Sequence, residues 1–479
     1  MIVSPSLNSE DNSLTAVGKL LPYVMRGEQS CAFFSRIICT YNKNTIPLQS
    51  KISGLPQKKY RKMIFPRDKY LHELVEAKGN GMVKIVTGIR RSGKSFLLTT
   101  LFHQHLKENG VAENHIIEIA LDNRRNKPLR NPDALLAYID NLIIPDNQPH
   151  YVILDEVQLV DDFVEVLLSL MQDKRLDVYV SGSNSKFLSK DVVTEFRGRG
   201  DEIRIFPLSF AEYYAAIGGD RRTAWKDYYT YGGLPQVAQM DNEEKKMKFL
   251  LDLYELTYLK DIVERNRLRN VEGLRALIRI LASGIGSSTN PKRICDTFKS
   301  VEQVSIKDNT IRDYISYLQD SFMVEEALRY NVKGRRYIGT ETKYYFADMG
   351  LRAAILNFRQ QEETHIMENI VYNELRMRGY RVDVGLVEVW KVDAKGKNVR
   401  VPLEVDFVVN KGVERIYIQS AFSMLTESKE AQEKHSLLNT NDNFRKIIIV
   451  GDDIKRKTDE QGILTMGLYD FLLDPHSID

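Results

Sequence analysis

The strongest chemical signal in the sequence is a glycine-rich string that ends in a lysine and a serine. It matches the pattern G-x-x-x-x-G-K-[ST] at every position and consists of Gly88, Ile89, Arg90, Arg91, Ser92, Gly93, Lys94 and Ser95. The two glycines let the backbone curl so that its N–H groups point at phosphate oxygens. Lys94 is expected to reach the β- and γ-phosphates, and Ser95 to offer its hydroxyl to Mg²⁺. The string therefore predicts a site for ATP and Mg²⁺.

A pair of carboxylates provides the second signal. Asp155 and Glu156 directly follow the apolar run Tyr151 to Leu154, which predicts a central strand. Ligands of open α/β sheets bind at the carboxyl ends of the strands. We therefore expect Asp155 to hold the Mg²⁺ shell and Glu156 to orient and polarise the attacking water.

Two further candidates for catalysis lie beyond the next predicted strand. Asn184, with Ser183 as the second choice, could touch the γ-phosphate or the water, although Gly-Ser-Asn strings also favour plain turns. Arg199, with Arg197 as the second choice, could act as an arginine finger across a subunit boundary. A surface ion pair is the alternative for either arginine.

The elements that must position these residues alternate between strand and helix. Short apolar runs predict strands over 83–86, 115–120, 151–154, 178–180 and 203–206. Helical patterns lie between them, over 95–106, 132–143 and 163–172. This alternation is typical of α/β proteins, and it predicts a parallel sheet with helices on both faces.

Composition limits the class of protein. The chain has 479 residues, of which 43% are hydrophobic, and this is enough for several packed cores. No apolar run approaches the roughly 20 residues of a membrane helix, and the first residues lack a secretory pattern. The three cysteines are too few for a disulfide framework. We therefore expect a cytoplasmic protein without a membrane partner.

Positive charge is concentrated at the start of the chain. Residues 1–62 hold nine Lys/Arg and three Asp/Glu, whereas the whole chain has a net charge of only +3. The remainder therefore sums to −3, which excludes a globally basic nucleic-acid coat protein. Residues 1–62 are predicted to be a poorly ordered basic extension. Either translation starts at Met63, or the extension is a basic tail that holds nucleic acid or another partner.

The middle of the chain has the pattern of a winged helix-turn-helix. Ser305 and Asp308 fit a capping box, and the following helix carries an apolar face at Ile311, Tyr314, Ile315 and Leu318. The start of a recognition helix contacts base edges, and a hairpin wing flanks it. The candidate contacts to double-stranded DNA are Lys307, Asn309, Arg312, Lys333, Arg335 and Arg336. A winged helix used for protein contact or internal packing is the alternative.

From Met63 onward the chain resembles bacterial and archaeal AAA-type ATPases that have a C-terminal domain of unknown function. The resemblance rests on the strings GIRRSGKS, LDEVQ, SGSNS, FPLSFAEY and YGGLP, and on Gly198-Arg199. It implies an AAA core over 63–208, a helical lid over 209–265, a winged helix over 266–350 and a domain similar to PD-(D/E)XK nucleases over 351–479. The Gly-Arg element of the family is the reason to prefer Arg199 as the finger.

In the nuclease-like pattern that the resemblance implies, three residues would meet around Mg²⁺. They are Glu368 on a helix, Asp406 on a strand and Gln419 on the next strand. The lysine of the pattern should stand at position 421, where this chain has Ala421. Lys429 or Lys434 on the following helix could substitute for it. We expect a degenerate site, retained for binding or structure, without nuclease activity.

The sequence thus predicts Mg²⁺-dependent ATP hydrolysis coupled to a winged-helix and nuclease-like module that acts on DNA. The expected partners are ATP, double-stranded DNA and a second copy of the chain, reached through Arg199. One alternative is a slow-turnover, nucleotide-dependent switch that signals through protein partners. The other is an ATP-regulated nuclease.

Overall fold

The amino-terminal half of the described chain is built on a five-stranded sheet. The computed structural model describes residues 63–182, 196, 198–302, 306–359 and 362–479, so the predicted extension over 1–62 lies outside it. The strands are β1 (Val83–Gly88), β2 (Ile116–Ala120), β3 (His150–Asp155), β4 (Leu176–Ser181) and β5 (Gly200–Ile205). They pair in parallel in the order β2-β3-β4-β1-β5, which confirms the predicted parallel α/β sheet.

Helices cover both faces of this sheet because both faces of its central strands are apolar. Every residue of β1 and β3 is buried. One face packs against Asp68–Glu76 and the helical segment 94–108, whose middle, Leu97–Phe102, is a π-helix. The other face packs against Pro132–Asp140 and Phe163–Leu170. Two-sided burial is the reason that these strands are mainly apolar in the sequence, and the buried Lys84 of β1 is paired with Asp177.

A helical region follows β5. It begins at Phe210 with a capping box, in which Ser209 accepts from the backbone N–H of Glu212 and the Glu212 side chain accepts from that of Ser209. Its helices are Phe210–Ile217, Arg221–Tyr231, Pro235–Ala238, Glu243–Leu253, Lys260–Arg265, Val271–Ser283, Pro291–Thr297 and Asp308–Asp320, with π-helical turns at Tyr254–Leu259 and Phe298–Glu302. The apolar residues of this region share one core with the C-terminal part of the chain.

The helix Asp308–Asp320 corrects one expectation. The apolar face at Ile311, Tyr314, Ile315 and Leu318 is buried as predicted. The capping box is wrong, because the helix begins at Asp308 and its N-cap is Lys307, whose side chain makes no capping hydrogen bond. Ser305, the predicted N-cap, lies outside the described residues.

A second sheet of eight strands forms the C-terminal half. Its strands are β6 (Val324–Asn331), β7 (Arg336–Phe346), β8 (Arg381–Val392), β9 (Asn398–Lys411), β10 (Glu414–Ala421), β11 (Arg445–Val450), β12 (Lys457–Thr458) and β13 (Ile463–Gly467). They are ordered β12-β13-β11-β10-β9-β8-β6-β7. The accompanying helices are Met349–Ile355, Glu363–Met377, Glu427–Leu438 and Leu468–Leu473.

The hairpin predicted to be a wing is part of this sheet. Its first strand, β6, pairs in parallel with β8, from Arg329 opposite Val384 to Asn331 opposite Leu386. The expected boundary near residue 350 therefore runs between strands that hydrogen-bond to each other. In the part of the chain that the structure describes, no helix combines the length and apolarity needed to span a bilayer.

Candidate nucleotide-binding site and C-terminal acid–lysine cluster

The glycine-rich string forms the loop between β1 and the helix that begins at Lys94. Gly88 has a φ of 137°, and a Cβ built on it would lie 2.1 Å from the carbonyl oxygen of Ile205 on β5. Gly93, with a φ of 101°, precedes the helix. Only glycine fits the close approach at Gly88, so the loop is held tightly against the sheet edge.

Lys94 lies buried inside this loop. Its Nζ donates to the carbonyl oxygens of Gly88 (3.0 Å) and Ile89 (3.1 Å). Among the described residues, no carboxylate lies within 4.0 Å of this ammonium. Burial lowers the pKa of Lys94 to about 8, while the charges of Glu156 and Asp155 act in the opposite direction. The direct contacts of the Lys94 ammonium within the described part of the chain are therefore with neutral carbonyl oxygens.

Ser95 and Asp155, the two residues predicted to hold Mg²⁺, lie close together. Asp155 ends β3 and is buried, and it accepts a hydrogen bond from the Ser181 hydroxyl. Burial raises the pKa of Asp155, and the hydroxyls of Ser181 and Ser95 oppose the rise. A hydroxyl and a carboxylate are oxygen ligands of the kind that Mg²⁺ prefers, so the pair fits the ion.

Glu156 is held in an unusual conformation beside them. Its φ is 56°, in the left-handed region, and its N–H donates to the Ser181 hydroxyl (3.2 Å). Its carboxylate accepts from the side-chain amide of Gln158. Sequence reasoning assigned no role to Gln158, although a polar residue two positions after a candidate catalytic carboxylate was a usable signal.

A cavity of about 1070 Å³ joins these groups. The glycine-rich loop, Asp122 and Glu156 line one side, and the helical region 235–265 lines the other. The two sides touch, because the Tyr258 hydroxyl donates to the carbonyl oxygen of Arg90 (2.6 Å) and the Arg90 guanidinium lies 3.5 Å from Asp261. Sequence reasoning missed these lid contacts.

A buried aspartate links the lid to the C-terminal half. Asp348 accepts hydrogen bonds from the backbone N–H groups of Gly233 (2.8 Å) and Leu351 (3.0 Å). A Cβ on Gly350 would lie 2.0 Å from the carbonyl oxygen of Tyr231, so the two segments approach each other closely. Burial raises the pKa of Asp348 to about 6. The YGGLP string therefore joins the helical region that follows β5 to the second sheet.

Of the remaining catalytic candidates, only Arg199 lies within the described residues. Asn184, Ser183 and Arg197 lie outside the described residues. Arg199 is exposed, and its carbonyl oxygen accepts from the N–H of Val83, at the start of β1. The glycine-rich loop follows the opposite end of β1, roughly 17 Å away at 3.3 Å per residue. Arg199 therefore cannot serve the loop of its own chain.

The candidate DNA contacts lie in two places. Lys307, Asn309 and Arg312 are exposed on the helix Asp308–Asp320, beside a groove of about 760 Å³. Three cations line this groove, Lys292, Lys299 and Arg312, against four carboxylates, Asp296, Asp308, Glu326 and Glu341. Arg312 is itself paired with Asp308 (2.9 Å). Lys333, Arg335 and Arg336 are exposed in the β6–β7 turn.

The nuclease-like residues surround a lysine that was not predicted. Lys343 on β7 is 3% exposed, and its Nζ lies 2.9 Å from Glu368 and 2.7 Å from Glu404. The Tyr345 hydroxyl also donates to Glu368 (2.7 Å). These carboxylates raise the pKa of Lys343 against the opposing effect of burial. Together with Asp406, they form what we call the acid–lysine cluster: Lys343, Glu368, Glu404 and Asp406.

Asp406 and Gln419 are the other two residues of the nuclease-like pattern. Asp406 is half-buried, and its carboxylate accepts from the N–H of Ser420 (2.8 Å). Burial and the nearby charge of Glu368 raise its pKa to about 8. The side-chain oxygen of Gln419 accepts from the N–H of Asp406 (3.3 Å) and the hydroxyl of Ser436 (3.4 Å), so this oxygen is engaged away from the carboxylates.

The two lysines proposed to replace the residue missing at 421 are engaged elsewhere. Lys429 pairs with Glu433 (3.5 Å), and Lys434 pairs with Glu430 (2.6 Å) and Asp459 (2.8 Å). The lysine of the cluster comes instead from β7, upstream of Glu368 in the chain. Its sequence signal was a single lysine next to the apolar run Tyr344 to Phe346.

One other group of possible metal ligands occurs in the described ranges, at His115, Asp146 and His150. Both ring nitrogens of His150 are occupied. Nε2 accepts from the N–H of Ile144 (3.0 Å), and Nδ1 contacts the carbonyl oxygen of Gln148 (3.2 Å). His115 contacts Asn114 (3.0 Å) and Asp146 (3.0 Å) through its two nitrogens. The group is therefore a satisfied hydrogen-bond network.

Comparison with known proteins agrees with this geometry. Residues 80–214 match a family described as an AAA domain, and residues 222–362 match a domain of unknown function, DUF8612. The loop, the parallel sheet and the AAA match define the class as P-loop ATPases of the AAA type.

Whole-chain relatives identify the family. An uncharacterized protein of Haemophilus influenzae is 31% identical over 417 residues, covering 86% of this chain and 99% of its own length. The uncharacterized protein MJ1544 of Methanocaldococcus jannaschii is 26% identical over 368 residues, covering 74% of this chain and 77% of its own length. The chain belongs to the family of the Haemophilus protein.

Solved structures resemble the chain only distantly. The Orc1 protein of Aeropyrum pernix, solved in complex with DNA, is 13% identical and has a TM-score of 0.26, covering 63% of this chain and 95% of its own. AMPPCP-bound DnaA from Aquifex aeolicus is 16% identical and has a TM-score of 0.29, covering 53% of this chain and 88% of its own. Similarity at this level carries no conclusion about this chain.

Proposed function

We propose that the protein hydrolyses ATP at the glycine-rich loop and transmits the nucleotide state to its C-terminal half. The single observation that carries the proposal is the state of Lys94. Among the described residues, only carbonyl oxygens contact this buried ammonium directly, and it faces a cavity large enough for a nucleotide. Placing a phosphate against it would supply the opposite charge that a buried cation needs.

Each group then has a defined role. The loop N–H groups and Lys94 bind the phosphates and stabilise the charge that develops on them during transfer. Ser95 and Asp155 would hold Mg²⁺, which supplies further charge stabilisation on the β- and γ-oxygens. Glu156 accepts a proton from the attacking water and orients it.

The lid offers a route from nucleotide to C-terminal half. Tyr258 and Asp261 contact Arg90 in the phosphate loop, and Asp348 holds the loop at Gly233. A shift of the phosphate loop on binding ATP would therefore be transmitted through the lid to Asp348 and the second sheet. The alternative of a slow-turnover switch has one supporting observation, since the side-chain amide of Gln158 donates a hydrogen bond to the carboxylate of Glu156.

Arg199 is proposed to act on a neighbouring copy. It is exposed at the opposite end of β1 from its own phosphate loop, a position from which only a second chain's site is within reach. Asn184 is proposed to act within the chain, on the γ-phosphate or the water.

For the C-terminal half we propose a structural role for the acid–lysine cluster. The ammonium of Lys343 neutralises Glu368 and Glu404 and ties β7 to the rest of the sheet. A nuclease would need these carboxylates for a metal ion. Action on double-stranded DNA through the helix Asp308–Asp320 draws little support, because its groove carries more carboxylates than cations.

The test is Mg²⁺-dependent ATP hydrolysis by the full-length chain across a range of protein concentrations. The expected result is turnover that rises per subunit with concentration, and that is lost in Lys94→Ala. Arg199→Ala should slow turnover by about 10³-fold if the finger acts in trans, with ATP affinity retained. ATP binding without turnover at any concentration would establish the switch instead.

A further inference from the structure

A basic ridge runs along one edge of the C-terminal sheet. It consists of the turn between β6 and β7 and the tip of the β8–β9 hairpin. Its cations are Lys333, Arg335, Arg336, Lys391, Lys395, Lys397 and Arg400, and all of them are exposed. The two segments are neighbours, because Lys333 donates to the carbonyl oxygen of Glu388 (2.9 Å) on β8.

The ridge is far more positive than the groove at the predicted recognition helix. Within residues 333–336 and 388–400, the acidic side chains are Glu388 and Asp393, against seven cations, and Glu388 lies 3.7 Å from Arg400. Asp393 is already engaged, since it accepts from the backbone N–H groups of Lys395 (2.8 Å) and Lys397 (2.9 Å). In the described part of the chain, no carboxylate lies within 4.0 Å of Arg335, Arg336, Lys391, Lys395 or Lys397.

An aromatic platform lies within the ridge. Trp390 is 64% exposed at the end of β8, directly opposite Arg400 on β9. The Arg400 guanidinium lies 4.9 Å from the centre of the indole ring, so it covers part of one ring face. Most of the indole surface is exposed, which leaves room for a planar ligand. Tyr337, beside the β6–β7 turn, is 60% exposed.

We propose that the basic ridge binds single-stranded nucleic acid, with a base stacked on Trp390 and the backbone phosphates on the flanking cations. A polyanion complements the charge, and an exposed indole gives a stacking surface that accepts any base. A duplex keeps its base faces buried in the stack, which is why a single strand fits better. The inference does not depend on ATP hydrolysis.

Fluorescence of Trp390 gives a direct test. The chain has two tryptophans, and Trp225 packs against Phe210 and Tyr229, so Trp225→Phe leaves Trp390 as the only indole. Titration of this full-length variant with an oligothymidylate should quench the emission, with an affinity that falls steeply as salt rises. Heparin should bind with little quenching, and a blunt DNA duplex should bind more weakly than the single strand.

The second measurement is the fluorescence anisotropy of a labelled oligothymidylate. It uses the chain that keeps Trp225. Trp390→Ala should weaken binding by about tenfold. The triple change K391E/K395E/K397E should weaken it by more than 100-fold at low salt. The matched control K78E/K127E/K174E reverses the charge of three exposed lysines between residues 63 and 208 and should have little effect.

Three outcomes would overturn the proposal. Equal quenching by heparin and the oligonucleotide would mean that only charge is recognised. Stronger binding to vesicles rich in phosphatidylglycerol than to the oligonucleotide would identify a membrane surface. Unchanged oligonucleotide binding by Trp390→Ala and by the triple variant would place the nucleic-acid site elsewhere.

Discussion

Two of the buried lysines, Lys94 in the amino-terminal half and Lys343 in the C-terminal half, are in opposite electrostatic states. Lys94 contacts carbonyl oxygens, and burial lowers its pKa to about 8. Lys343 contacts the carboxylates of Glu368 and Glu404, which raise its pKa. Lys94 lines a cavity of about 1070 Å³, whereas Lys343 is paired with carboxylates of its own chain.

The difference indicates what each lysine is for. A buried ammonium without an anion is costly, so Lys94 is poised to gain free energy from a phosphate. The carboxylates of Glu368 and Glu404 already stabilise the ammonium of Lys343, so a ligand would gain little free energy by binding at the acid–lysine cluster. The same residue types thus form a ligand site in one half and an internal support in the other.

The largest effect is expected from breaking the internal support. Lys343→Met leaves buried carboxylates without their cation, and it should lower the free energy of unfolding by about 3–5 kcal/mol. Urea denaturation measures the loss. The control is Lys429→Met, which removes an exposed i,i+4 pair with Glu433 and should cost under about 0.5 kcal/mol. An equal free energy of unfolding for the two variants would show that Lys343 does not stabilise the fold.

Nucleotide affinity should respond to pH through Lys94. With its pKa near 8 in the free chain, this lysine loses its proton as pH rises above 8. Bound phosphates stabilise the charged form and raise the pKa, so binding takes up a proton in that range. The affinity for ATP should therefore fall by about tenfold per pH unit above pH 8.

Calorimetry checks this pH dependence. Titrations in buffers of different ionisation enthalpy should report proton uptake on ATP binding at pH 9, and much less at pH 7. Lys94→Arg keeps the positive charge across this range and provides the control. An affinity that is constant from pH 7 to pH 10 in the unchanged chain would contradict the lowered pKa.

The smallest effect concerns Gln158. Its side-chain amide donates to the carboxylate of Glu156, so Gln158→Ala removes this hydrogen bond and should raise basal ATP hydrolysis about threefold. Steady-state turnover at saturating ATP measures the change, and Glu156→Gln, which should bind ATP without hydrolysing it, is the reference. A fall in turnover would mean that Gln158 positions Glu156 for the water.

The sequence predicted where the glycine-rich loop lies in the fold, between β1 and a helix, because its signals are local. Eight consecutive residues specify the loop, and the positions of Asp155 and Glu156 follow from the strand that precedes them. Parallel strands bring their carboxyl ends to one edge, so the proximity of Ser95 and Asp155 follows from topology.

The C-terminal cluster was less predictable because its contacts are long-range. Lys343 meets Glu368 and Glu404 only because the β6–β7 hairpin joins the C-terminal sheet beside β8. An alternating pattern predicts a strand but does not specify its partner. The pattern therefore predicts a separate wing. It offers Lys429 and Lys434, on the next helix, as replacements for the lysine that is missing at position 421. The lid contact between Tyr258 and Arg90 was missed for the same reason.

The most direct test of the contrast is ATP binding by the full-length chain at pH 7, measured by calorimetry for three proteins: the unchanged chain, Lys94→Met and Lys343→Met. Our account predicts that Lys94→Met loses measurable affinity, while the folded fraction of Lys343→Met binds ATP as the unchanged chain does. Unimpaired ATP binding by Lys94→Met would contradict it.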